Sequence, residues 1–176
     1  MSFNPPTYKY SDYVKWEGDW ELIEGYPFAM APSPFGKHQN IMWKLARYLD
    51  EALEECECEG YTELDWIIDE KTIIRPDIAI YCEEIEKYPK TTPKIVIEIV
   101  SDATASKDEE IKFKLYEKEK VEYYTLVYPD FEKVKIYKLD DKKYDKIYEG
   151  DGKFKFSLCD IEIDFKKIFK RREKWV

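Results

Sequence analysis

The run Ile95-Val96-Ile97-Glu98-Ile99-Val100 constrains this chain more than any other segment. Both of its alternating faces are apolar and mostly β-branched, except at Glu98. That pattern belongs to a strand covered on both sides rather than one with a wet face. A strand covered on both sides needs a layer above and a layer below, and strands mixed with two substantial helices indicate a layered α/β or α+β fold. A carboxylate within such a strand is costly to bury unless a cation or hydrogen bonds compensate it. Glu98 is therefore where fold and chemistry are expected to meet.

The 176 residues point to one domain over 1–176, with an N-terminal arm at 1–18 and a basic C-terminal tail at 166–176. With 44% hydrophobic and 16% aromatic residues, the chain can build a core and is not a disordered segment. A mean hydropathy of −0.65 and the absence of a long apolar run argue against a membrane span. Residues Met1 to Tyr10 carry two prolines and no apolar stretch, so no signal peptide is expected and the expected location is the cytoplasm. A formal charge of −9 disfavours nonspecific coating of nucleic acid. The tail runs against that sign, with six basic residues and one acidic residue from Lys166 to Val176; it is either a phosphate contact or a solvated helix end. Cys56, Cys58, Cys82 and Cys159 are scattered and are expected as free thiols. The Cys56-x-Cys58 pair lacks nearby partners for zinc, since the sole histidine, His38, lies far back on the preceding helix.

Periodicity places the elements. Trp20–Ile23 and Pro27–Met30 read as strands about the turn Glu24-Gly25-Tyr26, ended by Ala31-Pro32-Ser33-Pro34. Ile41, Met42, Leu45, Leu49, Ala52 and Leu53 carry a helix over Gly36–Glu55. Leu64–Ile68, Thr72–Ile74 and Ile78–Cys82 read as strands, the first two joined at Asp69-Glu70-Lys71. Ser101–Ala105 is a loop. Ser106 with Glu109 predicts a capping box opening a helix that runs to Lys118. Tyr123–Tyr128 and Val134–Leu139 are further strands, followed by a short strand near Phe154–Leu158 and a terminal basic helical turn.

Asp77 joins Glu98 as a candidate, because it follows Arg75-Pro76 and opens the apolar run Ile78–Ile80. Two carboxylates on neighbouring central strands suit Mg²⁺, a hard cation that prefers oxygen ligands. The structural alternative is a buried ion pair, for example Glu98 with Arg75. On the helix after Ser106, Asp108, Ile111, Lys112, Leu115 and Tyr116 share one arc of roughly 140°, with Lys114 outside it. Lys112 is thereby expected to face inward, either holding a phosphate or water near the carboxylates or snorkelling outward. His38 lies on the inward arc of Ile41, Leu45 and Leu49, as a core residue or as a proton carrier facing the site.

Several phrases together resemble one family: Trp20-Glu21-Leu22-Ile23-Glu24-Gly25, Pro32-Ser33-Pro34 with Gly36-Lys37-His38-Gln39, Arg75-Pro76-Asp77-Ile78-Ala79-Ile80, and Pro93-Lys94-Ile95 through Ser101. Thr104-Ala105 with Asp108, Lys112 and Tyr116, then Val121-Glu122-Tyr123-Tyr124, continue the pattern. They resemble the small bacterial proteins of the Uma type, described as restriction endonucleases of the PD-(D/E)XK nuclease superfamily. The resemblance implies a restriction-endonuclease-like mixed central β-sheet flanked by helices, with an N-terminal β-hairpin and additional C-terminal strands. It also implies hydrolysis of DNA phosphodiesters with Mg²⁺, for which Mn²⁺ could substitute. Asp77 and Glu98 match the acidic residues of the two half-motifs, and the carbonyl of Ile99 would join them as a metal ligand. The superfamily's usual lysine position is Val100 here; Lys112 matches the lysine supplied by the following helix. His38 and Glu21 match a family histidine and glutamate, with proton shuttling and completion of the metal shell as their implied roles.

Three functions stay open at this level. The first is an active Mg²⁺-dependent DNA endonuclease. The second is a nuclease-fold protein without turnover that binds nucleic acid or protein, favoured by the acidic charge and by Val100. The third is an interaction module that forms a homodimer through exposed aromatic residues.

Overall fold

The structure is a computed structural model that describes residues 5–30, 36–101 and 103–171. The predicted stop at Ala31–Pro34 and the last five residues of the basic tail lie outside these residues.

A mixed α+β architecture is built on three sheets. The central sheet has six strands in the order β10-β9-β8-β7-β6-β3. These are β3 (Glu59–Thr62), β6 (Ile78–Tyr81), β7 (Ile95–Ile99), β8 (Tyr123–Tyr128), β9 (Lys133–Asp140) and β10 (Lys143–Gly150). Only β7 and β8 run parallel; the other neighbours are antiparallel. A parallel pair needs a crossover. Here the crossover contains a π-helical segment, Lys107–Lys112, that continues into α3 (Phe113–Lys118). A second sheet has the order β2-β1-β5-β4, from β1 (Trp20–Ile23), β2 (Tyr26–Ala29), β4 (Trp66–Asp69) and β5 (Thr72–Ile74). A small pair, β11 (Lys153–Lys155) and β12 (Glu162–Asp164), leads into α4 (Phe165–Phe169).

Strand alternation divides the core in two. On one face of the central sheet, Ile78, Ile80, Ile95, Ile97 and Ile99 pack against Ile41, Met42, Leu45, Leu49 and Leu53 of α2 (Gly36–Leu53), with Phe156, Ile163, Phe165 and Ile168 behind them. Lys44 on α2 donates to the carbonyls of Ile168 (3.0 Å) and Lys170 (2.7 Å), which fixes the end of α4. On the other face, Ala79, Tyr81, Val96, Tyr124 and Leu126 pack with Leu115 and Tyr116 of α3 and with Ile23, Trp66 and Ile74 of the second sheet. All five β7 residues are buried, as the two-faced apolar pattern requires.

The N-terminal arm is tied to the second sheet. It carries the single turn α1 (Tyr10–Tyr13), and the amide of Tyr8 donates to the carbonyl of Gly25 (2.8 Å). Glu24 (φ 51°) and Gly25 (φ 85°) form the two-residue link between β1 and β2, where both backbones must be left-handed. A Cβ on Gly25 would stand 2.9 Å from the Cβ of Thr7 and 3.3 Å from the carbonyl of Tyr8. Gly25→Ala is therefore expected to lower stability by about 1–2 kcal/mol, measurable as a reduced urea midpoint. An unchanged midpoint would mean that the arm yields freely.

Several sequence expectations need correction. Three strands had no clear apolar alternation and were not expected: β3, the edge strand β10 and β12. Ser106 does not cap the helix; it is already helical (φ −63°, ψ −39°) and its side chain accepts no capping bond. The turn before it is closed instead by Ser101 and Thr104, whose hydroxyl accepts from the Ser101 amide at 3.1 Å. The cysteines are not free thiols. Cys56 pairs with Cys159 and Cys58 with Cys82 in two disulfides. The second pair extends the β3–β6 register, in which Glu59 faces Tyr81. Spacing along the chain could not show this, because Cys56 and Cys159 lie 103 residues apart.

Candidate active site

The register of β6 and β7 places Ile78 opposite Ile97, so the residue before Ile78 stands opposite Glu98. That residue is Asp77. Cross-strand neighbours share a face, and the two residues meet at the start of β6: the Asp77 amide donates to Glu98 Oε2 at 3.4 Å. Asp77 Oδ2 in turn accepts from the Ile99 amide at 2.6 Å. His38, in the first turn of α2, reaches the same oxygen from the opposite layer, with Nε2 at 3.2 Å. Burial favours neutral His38, but its hydrogen bond to Asp77 and that residue's charge outweigh it and raise the imidazole pKa. Both contacts use Oδ2, and among the described residues Asp77 Oδ1 receives no hydrogen bond.

Beneath Asp77 lies a buried charge network. Lys112, 2% exposed, contacts Glu98 Oε1 at 2.9 Å and Glu21 Oε1 at 2.8 Å. Tyr116 donates to Glu98 Oε1 at 2.7 Å. Lys107 contacts Glu21 Oε2 at 2.6 Å, and the Arg75 amide donates to Glu21 Oε1 at 2.9 Å. Asp108 lies 4.0 Å from Lys112 and is also buried. Arg75 is not the partner of Glu98: its guanidinium is taken by Asp19 (2.7 Å) and Asp65 (2.8 Å).

The π-helical segment explains how two lysines reach one glutamate. In an α-helix, residues five apart diverge by about 140°. The i→i+5 bonding of a π-helix brings them onto the same side, one turn apart. Lys107 and Lys112 thereby converge on Glu21, while Lys114 is exposed as expected.

The two glutamates respond oppositely. Burial opposes ionisation of Glu21, yet Lys112 and Lys107 hold its carboxyl down at about 2. Burial pushes the Glu98 carboxyl up to about 8; Lys112 opposes this, but Asp108, Asp77 and Glu21 crowd it with like charge. Burial and the neighbouring Glu98 push the Tyr116 phenol well above its ordinary range, so it remains a hydrogen-bond donor. Burial opposes the charge on Lys112, but Glu21, Glu98 and Asp108 together raise its pKa. Four carboxylates thus surround two lysines and one histidine. The site has a deficit of positive charge.

Mg²⁺ fits this donor set. It is commonly held by one or two carboxylates, with water and substrate phosphate filling the remaining positions. Asp77 Oδ1 accepts no hydrogen bond among the described residues, Glu98 Oε2 accepts only the long one from the Asp77 amide, and the Asp77 side chain is 17% exposed.

All five candidate side chains, Glu21, His38, Asp77, Glu98 and Lys112, fall in this one network. Ile99 enters it through its amide. Lys107 and Tyr116 are participants whose part was not foreseen. Tyr116 could be found from the same helical arc as Lys112; Lys107 could not, because an α-helical wheel turns it away.

The structure is similar to the crystal structure of a putative nuclease belonging to DUF820 from Anabaena variabilis, with a TM-score of 0.76 at 19% identity. The alignment covers 94% of this chain and 98% of that one, and at this identity it establishes the fold. No curated protein matches the chain. The family model Uma2, described as "Putative restriction endonuclease", matches residues 10–153. The chain therefore belongs to the Uma2 family.

Proposed function

We propose that this protein is a metal-dependent nuclease that hydrolyses DNA phosphodiester bonds, with Asp77 and Glu98 at the reacting centre. One observation carries the reading: two carboxylates stand opposite each other across β6 and β7, in a buried network short of positive charge. Membership of the Uma2 family supports the same class of reaction.

Asp77, Glu98 and the carbonyl of Ile99 would hold Mg²⁺, which when bound makes water a stronger acid and stabilises charge on a phosphate. The chain's own groups prepare that position. Lys112 and Tyr116 both donate to Glu98 Oε1 and so leave Oε2 turned towards Asp77. Glu21 has both oxygens engaged, and we assign it to holding Lys107 and Lys112 in place. Lys112 supplies the positive charge that the superfamily usually places where Val100 stands, and, buried between Glu21 and Glu98, it acts on the site by positioning Glu98. The Ile99 amide fixes the rotamer of Asp77. His38 is positioned to exchange a proton at Nε2 on the Asp77 side of the site.

Supercoiled plasmid incubated with purified protein tests the reading. Nicking or linearisation is expected with Mg²⁺ or Mn²⁺ and not with EDTA, and it should be lost in Asp77→Ala. Cutting that survives EDTA or Asp77→Ala would overturn the site assignment. Retarded DNA migration without cutting, across several substrates, would favour a binding module instead.

A further inference from the structure

A second cluster lies away from the carboxylates and uses different chemistry. Cys56 and Cys58 follow α2 and lead into β3; Cys82 follows β6; Cys159 sits between β11 and β12. Three separate stretches of chain thus bring four sulfurs together. The Sγ atoms of Cys56, Cys58 and Cys159 all lie within 4.8 Å of one another, and Cys58 and Cys159 are 4.0 Å apart although they belong to different disulfides. Cys82 is bonded to Cys58 and completes the set.

We propose that this cluster, when reduced, is a tetrathiolate site for zinc. Zinc–sulfur bonds of about 2.3 Å in a tetrahedron put neighbouring sulfurs about 3.8 Å apart. The Cys58–Cys159 separation is already close to that value. The Cα atoms of Cys58 and Cys82 are 4.0 Å apart and those of Cys56 and Cys159 5.9 Å, so the thiols remain neighbours once the sulfur–sulfur bonds open. The chemistry balances as follows. Two equivalents of a dithiol reductant convert the two disulfides into four thiols and become cyclic disulfides themselves. Zn²⁺ then displaces four protons to give a four-coordinate thiolate complex. All four ligands come from protein, which leaves no open position, so the site is structural rather than catalytic. Its metal would tie the β11–β12 loop to the junction of α2, β3 and β6. Zinc and disulfides are alternative staples for the same corner, chosen by the redox state of the surroundings.

The full-length protein, purified with a dithiol reductant, is expected to carry one zinc per chain by elemental analysis. Cobalt exchanged for zinc should give intense thiolate-to-metal absorption, a signature that metal at a carboxylate site does not produce. Cys82→Ser should abolish that absorption, whereas Cys82→His, which retains a metal-ligating side chain, should preserve metal binding. Removing the metal by chelation under reductant should lower the melting temperature by about 5 °C or more. Any of three results would overturn the proposal: reduced protein that binds neither zinc nor cobalt, disulfides that resist reduction while the chain stays folded, or thiolate absorption that persists in both Cys82→Ser and Cys159→Ser.

Discussion

Lys112→Met should cost about 3–5 kcal/mol of folding stability, the usual penalty for removing one partner from a buried ion pair. It is expected to be among the most damaging single substitutions in the chain. The ammonium of Lys112 sits between Glu21 and Glu98, and all three side chains are almost fully buried. Methionine approximates the volume of the stem but leaves two carboxylates facing each other without the charge between them. Urea denaturation of the wild type and the variant measures the loss. A cycle with Glu21→Gln identifies its origin. Glutamine removes one of the opposing charges, so the double variant should recover about 1–3 kcal/mol relative to the sum of the single effects. Strict additivity would show that Lys112 acts through packing alone, and the electrostatic account of the network would fail.

Asp77→Asn should do the reverse, with a large loss of activity and little change in stability. Asp77 stands at the rim of the network, with its side chain 17% exposed, and its principal hydrogen bond accepts from the Ile99 amide. The asparagine carbonyl can accept the same bond, so the fold should change by less than about 1 kcal/mol. If Asp77 is the anionic metal ligand proposed above, its loss should remove several kcal/mol of transition-state stabilisation, which corresponds to about a 10³-fold drop in plasmid cutting. Cutting within about tenfold of wild type, at saturating Mg²⁺, would displace Asp77 from the reacting centre. The pair of variants separates the two proposed roles: Lys112 serving both the fold and the site, and Asp77 serving the site.

The strand at the heart of this arrangement could be read from its residues alone. Ile95–Ile99 is apolar on both faces apart from Glu98, the pattern of a strand covered on both sides. Glu98 stood out for the same reason. The inward face of Lys112 followed from local periodicity. What was not legible depended on long-range pairing. Strand β10 reads as charged and irregular because it is an edge, exposed along most of its length. Arg75 looked available to Glu98, but the fold turns it towards Asp19 and Asp65. Lys107 was missed because an α-helical period was applied to a segment that is wound as a π-helix. The cysteines were misread because sequence spacing holds no information about neighbours 103 residues apart.

The site straddles a seam. Asp77, Glu98 and Lys112 belong to the central sheet and its crossover, whereas Glu21 comes from β1 in the second sheet. Glu21 and Lys107 are 86 residues apart in sequence, so their contact closes a long loop and is entropically expensive to make early. On the proposed function, competence to cut would depend on the docking of two sheets, because the acidic pair lies in one and the carboxylate that holds the lysines lies in the other.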